Sequence, residues 1–340
     1  MRRFWIGFFA SIVAFLAVWN LFYYSFALQI HGFDFAIWKA KFELIAPRAE
    51  AAEVVILGDS GAISGLSAVG SRRKTLNLAL GCAGTVEAAA FYDRYRESHP
   101  PPRFLVIEFA EFNFREFSCL DSYALTFDLF TLRERAKILR DIEATGRAYP
   151  VFAGDESFLD ALNVPLSIRP TLYLALAALH LTPNHLAAAR RFVNVREWPF
   201  YQNDFERALA QRGHFVIGER ASFEGTRIDG LDFDRFESSP VLIDALARIL
   251  ARAERDGTRA LVRFDPSNPN TNDAWGANYR RGMEAAFSDL QRRFPSASIE
   301  LFIRQWPNEA FGDYELHLNE SGVRLETAHL EAMLDRLENE

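Results

Sequence analysis

The chain opens with an unbroken apolar run, Phe4 to Leu28, in which no residue carries a charge. A run of that length is enough for a helix to cross a bilayer. It is apolar all round rather than on one stripe, which argues against the core helix of a water-soluble domain. Beyond it the pattern changes. Phe35, Ile37, Trp38, Phe42 and Ile45 form a short amphipathic stretch that Pro47 ends. It suits either a membrane surface or the face of a domain. Short apolar blocks then alternate with longer amphipathic ones. Strands are predicted at Glu53–Leu57, Thr75–Leu80, Arg103–Phe109, Arg259–Phe264 and Ser298–Ile303. Helices are predicted at Val86–Ser98, Pro240–Arg255, Asn278–Phe294 and Ser321–Leu337. Strand, turn, strand, helix, strand with short links is how a parallel α/β sheet begins.

The rhythm breaks between about 120 and 237. Four helical patterns, Leu132–Ala144, Glu156–Leu162, Leu172–Leu179 and Leu186–Phe192, are separated by Pro150, Pro165, Pro170 and Pro183. They read as a helical insertion into the α/β domain. The segment 196–237 has a mixed pattern that assigns no element. The expected organisation is an anchor over 1–28, a tether over 29–52, and a domain over 53–340 that carries the insertion.

Composition narrows the reading. With a formal net charge of -7 and no basic tract, the chain is not built to hold nucleic acid. At 49% hydrophobic residues it is not a disordered chain. Arg2 and Arg3 precede the apolar run, and Trp5, Trp19, Tyr23 and Tyr24 lie near its ends, where interfacial anchors sit. The positive-inside rule then puts the N-terminus in the cytoplasm and the rest outside. A cleaved signal peptide ending near Ser25-Phe26-Ala27 is the alternative. The run exceeds the usual apolar core of such peptides, about 7–15 residues, so an uncleaved anchor is preferred. Cys82 and Cys119 pair in an oxidising compartment or stay as buried thiols; two cysteines define no metal site.

The candidate chemistry sits at strand ends. Val54-Val55-Ile56-Leu57 stops abruptly at Gly58-Asp59-Ser60-Gly61. This delivers a serine to the carboxyl edge of the sheet, where α/β folds keep their chemistry. After the fifth strand come Asp313, Glu315 and His317. A serine hydroxyl needs a base to take its proton, usually a histidine oriented by a carboxylate. Either segment alone is a common turn; at the same sheet edge they form a serine triad. His31, His180 and His185 have no partner at metal-ligand spacing and read as structural. So do Trp38, Trp198, Trp275 and Trp306, although Trp275 and Trp306 fall in loops beyond strands four and five. No cofactor is expected.

Gly58-Asp59-Ser60 after a first strand, with Asp313 and His317-Leu318-Asn319-Glu320-Ser321-Gly322 near the C-terminus, resembles the SGNH (GDSL-type) hydrolase superfamily. Within it, the chain is most similar to membrane-anchored members associated with O-acylation of cell-surface polysaccharides. Asn77-Leu78-Ala79-Leu80-Gly81 followed by Gly84 resembles the family's second block. The resemblance covers about 53–117 and 240–330. It implies a three-layer αβα, flavodoxin-like fold. It also implies a periplasmic serine esterase or O-acyltransferase acting on acylated carbohydrate. Ser60, His317 and Asp313 would be its catalytic residues, and the N–H groups of Ser60 and Gly84 would line its oxyanion hole. The family's third block, Gly-x-Asn-Asp, is missing. Ala110-Glu111-Phe112-Asn113 stands there, and Asn113 is the residue that would supply the oxyanion donor. The aspartate stands four rather than three residues before the histidine, which leaves Glu315 as an alternative acid. The other implied role is an accessory subunit of weak activity that binds polysaccharide or a membrane-bound acyltransferase.

Overall fold

A computed structural model describes residues 1–47, 49–115, 123–143, 169–192, 198–226 and 234–339. The chain forms two compact units. One joins Met1–Ala36 to Asp121–Asp204, and the other joins Ile37–Leu120 to Phe205–Glu340.

The second unit holds a five-stranded, wholly parallel sheet. Its strands are β1 (Val54–Gly58), β2 (Thr75–Asn77), β3 (Phe104–Phe109), β4 (Arg259–Phe264) and β5 (Ser298–Ile299), in the order β2-β1-β3-β4-β5. Every residue of β1 and β3 is buried, which is why both read as continuous apolar blocks. β2 ends three residues before the predicted limit. The chain still follows β1 beyond it, Leu78 N–H donating to Ile56 O and Leu80 N–H to Gly58 O. β5 ends four residues before the predicted limit; Glu300 N–H still donates to Val262 O at 2.9 Å, and its side chain joins a cluster of buried charge.

That cluster was not visible as a pattern. Glu108 on β3 lies in register with Arg263 on β4, and both side chains are fully buried. Arg263 Nε stands 2.7 Å from Glu108 Oε2, and its Nη2 meets Glu326. Arg304 bonds Glu326 at 3.1 Å and also meets Glu300 and Glu108. Burial pushes the Glu108 carboxyl up. Burial acts on Glu326 in the same sense, but Arg263 and Arg304 outweigh it and hold that carboxyl low. Groups so desolvated persist only because each charge has partners.

Helices α4 (Ser60–Gly65), α5 (Thr85–Ser98), α10 (Pro240–Arg255), α11 (Pro269–Ala274), α12 (Ala277–Arg293) and α13 (Glu320–Asn339) belong to this unit. α5 packs on α10 and β1, and α4 packs on β1, β3 and α13. Pro240 in its first turn and Asp256 at its C-terminal cap bound α10 where the sequence places them. The stretch expected to be a tether is helix α3 (Phe33–Leu44). From Ile37 onward it is part of the sheet-bearing unit: Trp38 is 1% exposed and its Nε1 donates to Gly81 O at 3.1 Å. Lys41, wholly buried, donates to Asn77 O at 2.7 Å, and burial lowers its pKa well below the usual value.

The first unit is helical. It contains α1 (Arg2–Ser25), α2 (Ala27–His31), α6 (Leu132–Glu143), α7 (Arg169–Ala178) and α8 (Pro183–Phe192). The helix predicted over Glu156–Leu162 lies outside the described residues. Within α1, Arg3–Ser25 is long and apolar enough to cross a membrane, with a mean hydropathy of 2.0. Phe4, Trp5, Phe8, Phe9 and Phe15 are exposed along it. In its last turns one face is covered: Tyr23 is buried with Ile30, Ala188 and Phe192, while Leu21 and Tyr24 stay exposed. The remaining helix, α9 (Trp198–Ala210), falls in the segment whose pattern assigned no element.

Candidate functional site

The carboxyl edge of the sheet carries Ser60 at the first position of α4. Gly58 is needed before it, because a Cβ there would stand 2.0 Å from Glu108 O. Asp59 is the hub of the turn. Its Oδ1 accepts from Gly61 N at 2.8 Å as the helix cap. Its Oδ2 accepts from Ala110 N at 2.8 Å and from Asn113 Nδ2. Asp59 thus ties the end of β1 to the end of β3. Ser60 is half-buried, and its hydroxyl makes no hydrogen bond among the described residues. Beside it, Gly61 faces Asp265 at the end of β4: a Cβ would stand 1.8 Å from Asp265 Oδ2.

The partner loop is Phe311–Leu318. Those two residues bridge in antiparallel fashion and close it. Inside it, Asp313 Oδ2 lies 2.7 Å from His317 Nδ1. Asp313 Oδ1 accepts the backbone N–H groups of Glu315 and His317, each at 3.0 Å. Leu316 takes φ 64°, a left-handed conformation costly for leucine, which lets the ring turn back onto its own carboxylate. Burial alone would raise the Asp313 carboxyl. The hydrogen bonds from the His317 ring and the two backbone N–H groups outweigh it and hold it below the usual range. Glu315 is the weaker candidate acid: its carboxylate is 43% exposed and 3.8 Å from Nδ1. An acid accepting at Nδ1 leaves Nε2 as the working nitrogen. His317 is 4% exposed, and its Nε2 makes no hydrogen bond among the described residues.

One contact draws the two segments together. Ser64, one helical turn after Ser60, donates its hydroxyl to Leu318 O at 2.9 Å and accepts from Ile217 N at 3.1 Å. Leu318 is the neighbour of His317. Asn319 then locks the loop. Its Nδ2 donates to Glu309 O at 2.9 Å and Arg220 O at 3.1 Å, and its Oδ1 accepts from Ser321 N at 3.0 Å to begin α13. Ser60 and His317 are not hydrogen-bonded to each other. A resting nucleophile and base are often loose until substrate arrives.

The expected oxyanion residues are placed differently. Gly84 caps α5, and its N–H donates to Glu87 Oε2 at 3.1 Å, so this donor is engaged. Asn113 lies in a 3₁₀ turn, Glu111–Phe114, and its Nδ2 is held by Asp59 while its Oδ1 is a buried atom without a partner. Asn77, from the same block as Gly84, ties down α4 through Ala62 O at 2.7 Å and Leu66 O at 2.9 Å. Cys82, between Asn77 and Gly84, is disulfide-bonded; the chain's other cysteine, Cys119, lies outside the described residues.

Sequence reasoning passed over Ser64, Glu87 and Asp265. Asp265 was legible in principle, since it ends a strand of the same parallel sheet. Trp275 is buried against Tyr279 and Trp306 bonds Glu326, so both pack. A cleft of about 610 Å³ flanks the Asn319 side of the loop, lined by Arg207, Arg220, Asn319, Ser321 and Arg324. Neither Ser60 nor His317 lines it. A comparison with protein-family models and with curated proteins finds no match to this chain.

Proposed function

We propose that the protein is a membrane-anchored, extracytoplasmic serine esterase or O-acyltransferase of the SGNH type, with a three-layer flavodoxin-like catalytic domain, acting on acyl esters of cell-surface carbohydrate. The observation that carries the reading is the His317–Asp313 pair, 2.7 Å apart. It is set on the loop that Ser64 binds to the helix bearing Ser60. In the proposed reaction Ser60 Oγ attacks the acyl carbonyl while His317 Nε2 takes its proton. Collapse of the tetrahedral intermediate returns that proton to the departing alcohol and leaves an acyl-Ser60. Water or a sugar hydroxyl, deprotonated by His317, then releases the acyl group. Asp313 holds the imidazole in the required tautomer and stabilises the imidazolium. The Ser60 N–H would serve as an oxyanion donor, and Asn113, whose Nδ2 spends one hydrogen on Asp59, has a second to add. Each such donor contributes about 3 kcal/mol in well-studied cases. The disulfide at Cys82 suits an oxidising compartment, in keeping with an N-terminus held inside by Arg2 and Arg3.

The engaged N–H of Gly84 favours a second reading, an accessory subunit that binds polysaccharide or a membrane acyltransferase without turnover. Hydrolysis of p-nitrophenyl acetate by the detergent-solubilised chain separates the two. The enzyme reading expects activity that Ser60→Ala abolishes and Asp313→Asn lowers by about 10⁴. Activity unchanged by Ser60→Ala, or none from folded protein, overturns it.

A further inference from the structure

The helical unit gathers three side chains that the sequence holds far apart. Asp128, His180 and His185 bring one carboxylate oxygen and two ring nitrogens within 4.8 Å of one another. The two histidines, read from sequence as unpartnered, are completely buried. We propose that this trio is a divalent-cation site, with zinc the ion its donors suit best.

Asn20 Nδ2 donates to Leu16 O at 2.8 Å, which turns Asn20 Oδ1 toward His180 Nδ1, 2.7 Å away. Nδ1 therefore carries the proton. In a neutral ring Nε2 is then a bare lone pair, yet it faces Asp128 Oδ2, another lone pair. Two acceptors face each other there unless a cation or an extra proton lies between them. An extra proton on His180 satisfies that contact alone and does nothing for His185. The Nδ1 of His185 is matched by Thr182 Oγ1 at 2.6 Å, while its Nε2 is buried and makes no hydrogen bond of regular geometry among the described residues, with the Thr126 backbone beside the ring. A cation at the common point of the three atoms answers both features at once.

The surroundings have the form of a metal site's outer shell. Ligating histidines ordinarily hold their second nitrogen by a hydrogen bond, and ligating carboxylates are themselves bonded. Here Asn20 holds His180, Thr182 holds His185, and Arg135 Nη2 bonds Asp128 Oδ1 at 2.9 Å, leaving Oδ2 for the ion. Two imidazoles and a carboxylate with a fourth place open is a familiar zinc set. Bound there, the ion would fasten the segment carrying Asp128 to the turn between α7 and α8, beside the C-terminal end of α1.

The test uses the full chain in detergent, without a polyhistidine tag, stripped with EDTA, loaded with zinc or cobalt(II) and desalted. Mass spectrometry of the metal should find about one zinc per chain in wild type and in His317→Ala. It should find at most about a tenth of that in His185→Gln and Asp128→Ala. Should those variants fail to fold, the wild type decides alone. Cobalt(II) must give the intense visible bands of a low-coordinate N/O site, and X-ray absorption of the zinc form must fit two imidazoles in its shell. Wild type that holds no ion, or zinc retained equally by folded His185→Gln, overturns the proposal. In that case His180 is the imidazolium partner of Asp128.

Discussion

Asp59 and Ser60 are neighbours in one turn, and replacing each by alanine should have opposite consequences. Asp59 is 2% exposed and accepts three hydrogen bonds, from Gly61 N, Ala110 N and Asn113 Nδ2. Losing the helix cap costs about 1 kcal/mol. Leaving the two other donors buried and unmet adds about 1–3 kcal/mol each. The expected loss for Asp59→Ala is on the order of 4 kcal/mol. The Ser60 hydroxyl makes no hydrogen bond among the described residues, so Ser60→Ala should stay within about 0.5 kcal/mol of wild type. Urea unfolding in mild detergent, followed by tryptophan fluorescence, measures both. Trp38 and Trp275, each at most 5% exposed, report on the sheet-bearing unit. An Asp59→Ala loss below about 1 kcal/mol, or a Ser60→Ala loss as large as that of Asp59→Ala, would refute a structural Asp59 beside a functional Ser60.

Three further outcomes follow from the same structure. His214 is buried with Nε2 3.2 Å from Ser64 O, and burial lowers its pKa from 6.5 to about 4. The unfolded chain therefore takes the proton first. The contribution is complete above pH 6.5 and falls away toward pH 4, by on the order of 3 kcal/mol, and His214→Gln should flatten that part of a stability–pH curve. The Asp313 carboxyl is held below its unfolded value, so its contribution is present above the ordinary aspartate range and lost as pH falls through the folded value. Asp313→Asn should remove that acid dependence in the same titration. Arg263→Met leaves Glu108 and Glu326 buried with Arg304 as their shared partner and should cost about 3–5 kcal/mol by denaturant unfolding, more than any exposed arginine.

Much of the sheet was legible because a parallel strand buried on both faces leaves a dense apolar block and a sharp end. Val54–Gly58, Phe104–Phe109 and Arg259–Phe264 all fall where such blocks lie. Ser60, Asp313 and His317 were legible as candidates because parallel topology puts every strand's carboxyl end on one edge. Glu108 and Arg263 were not, since a charge inside an apolar block signals nothing until its cross-strand partner is known. Gly84 and Asn113 fit a pattern of positions, but patterns do not reveal that Glu87 and Asp59 already hold their hydrogens. The grouping of Asp128, His180 and His185 depends on how helices separated by an unassigned stretch pack, and no local period encodes that. For Phe33–Leu44 the sequence left two readings open, because its apolar face suits a membrane surface and a protein surface equally; the burial of Trp38 and Lys41 takes the second.

The most direct test of the central claim is covalent. A fluorophosphonate reacts only with a serine whose hydroxyl is activated by a base, and it leaves its phosphonyl group on the oxygen. The account predicts about one label per folded chain, found by peptide mass spectrometry on Ser60 and lost in both Ser60→Ala and His317→Ala. Folded wild-type protein that takes no label, or takes it at another serine, would contradict the account.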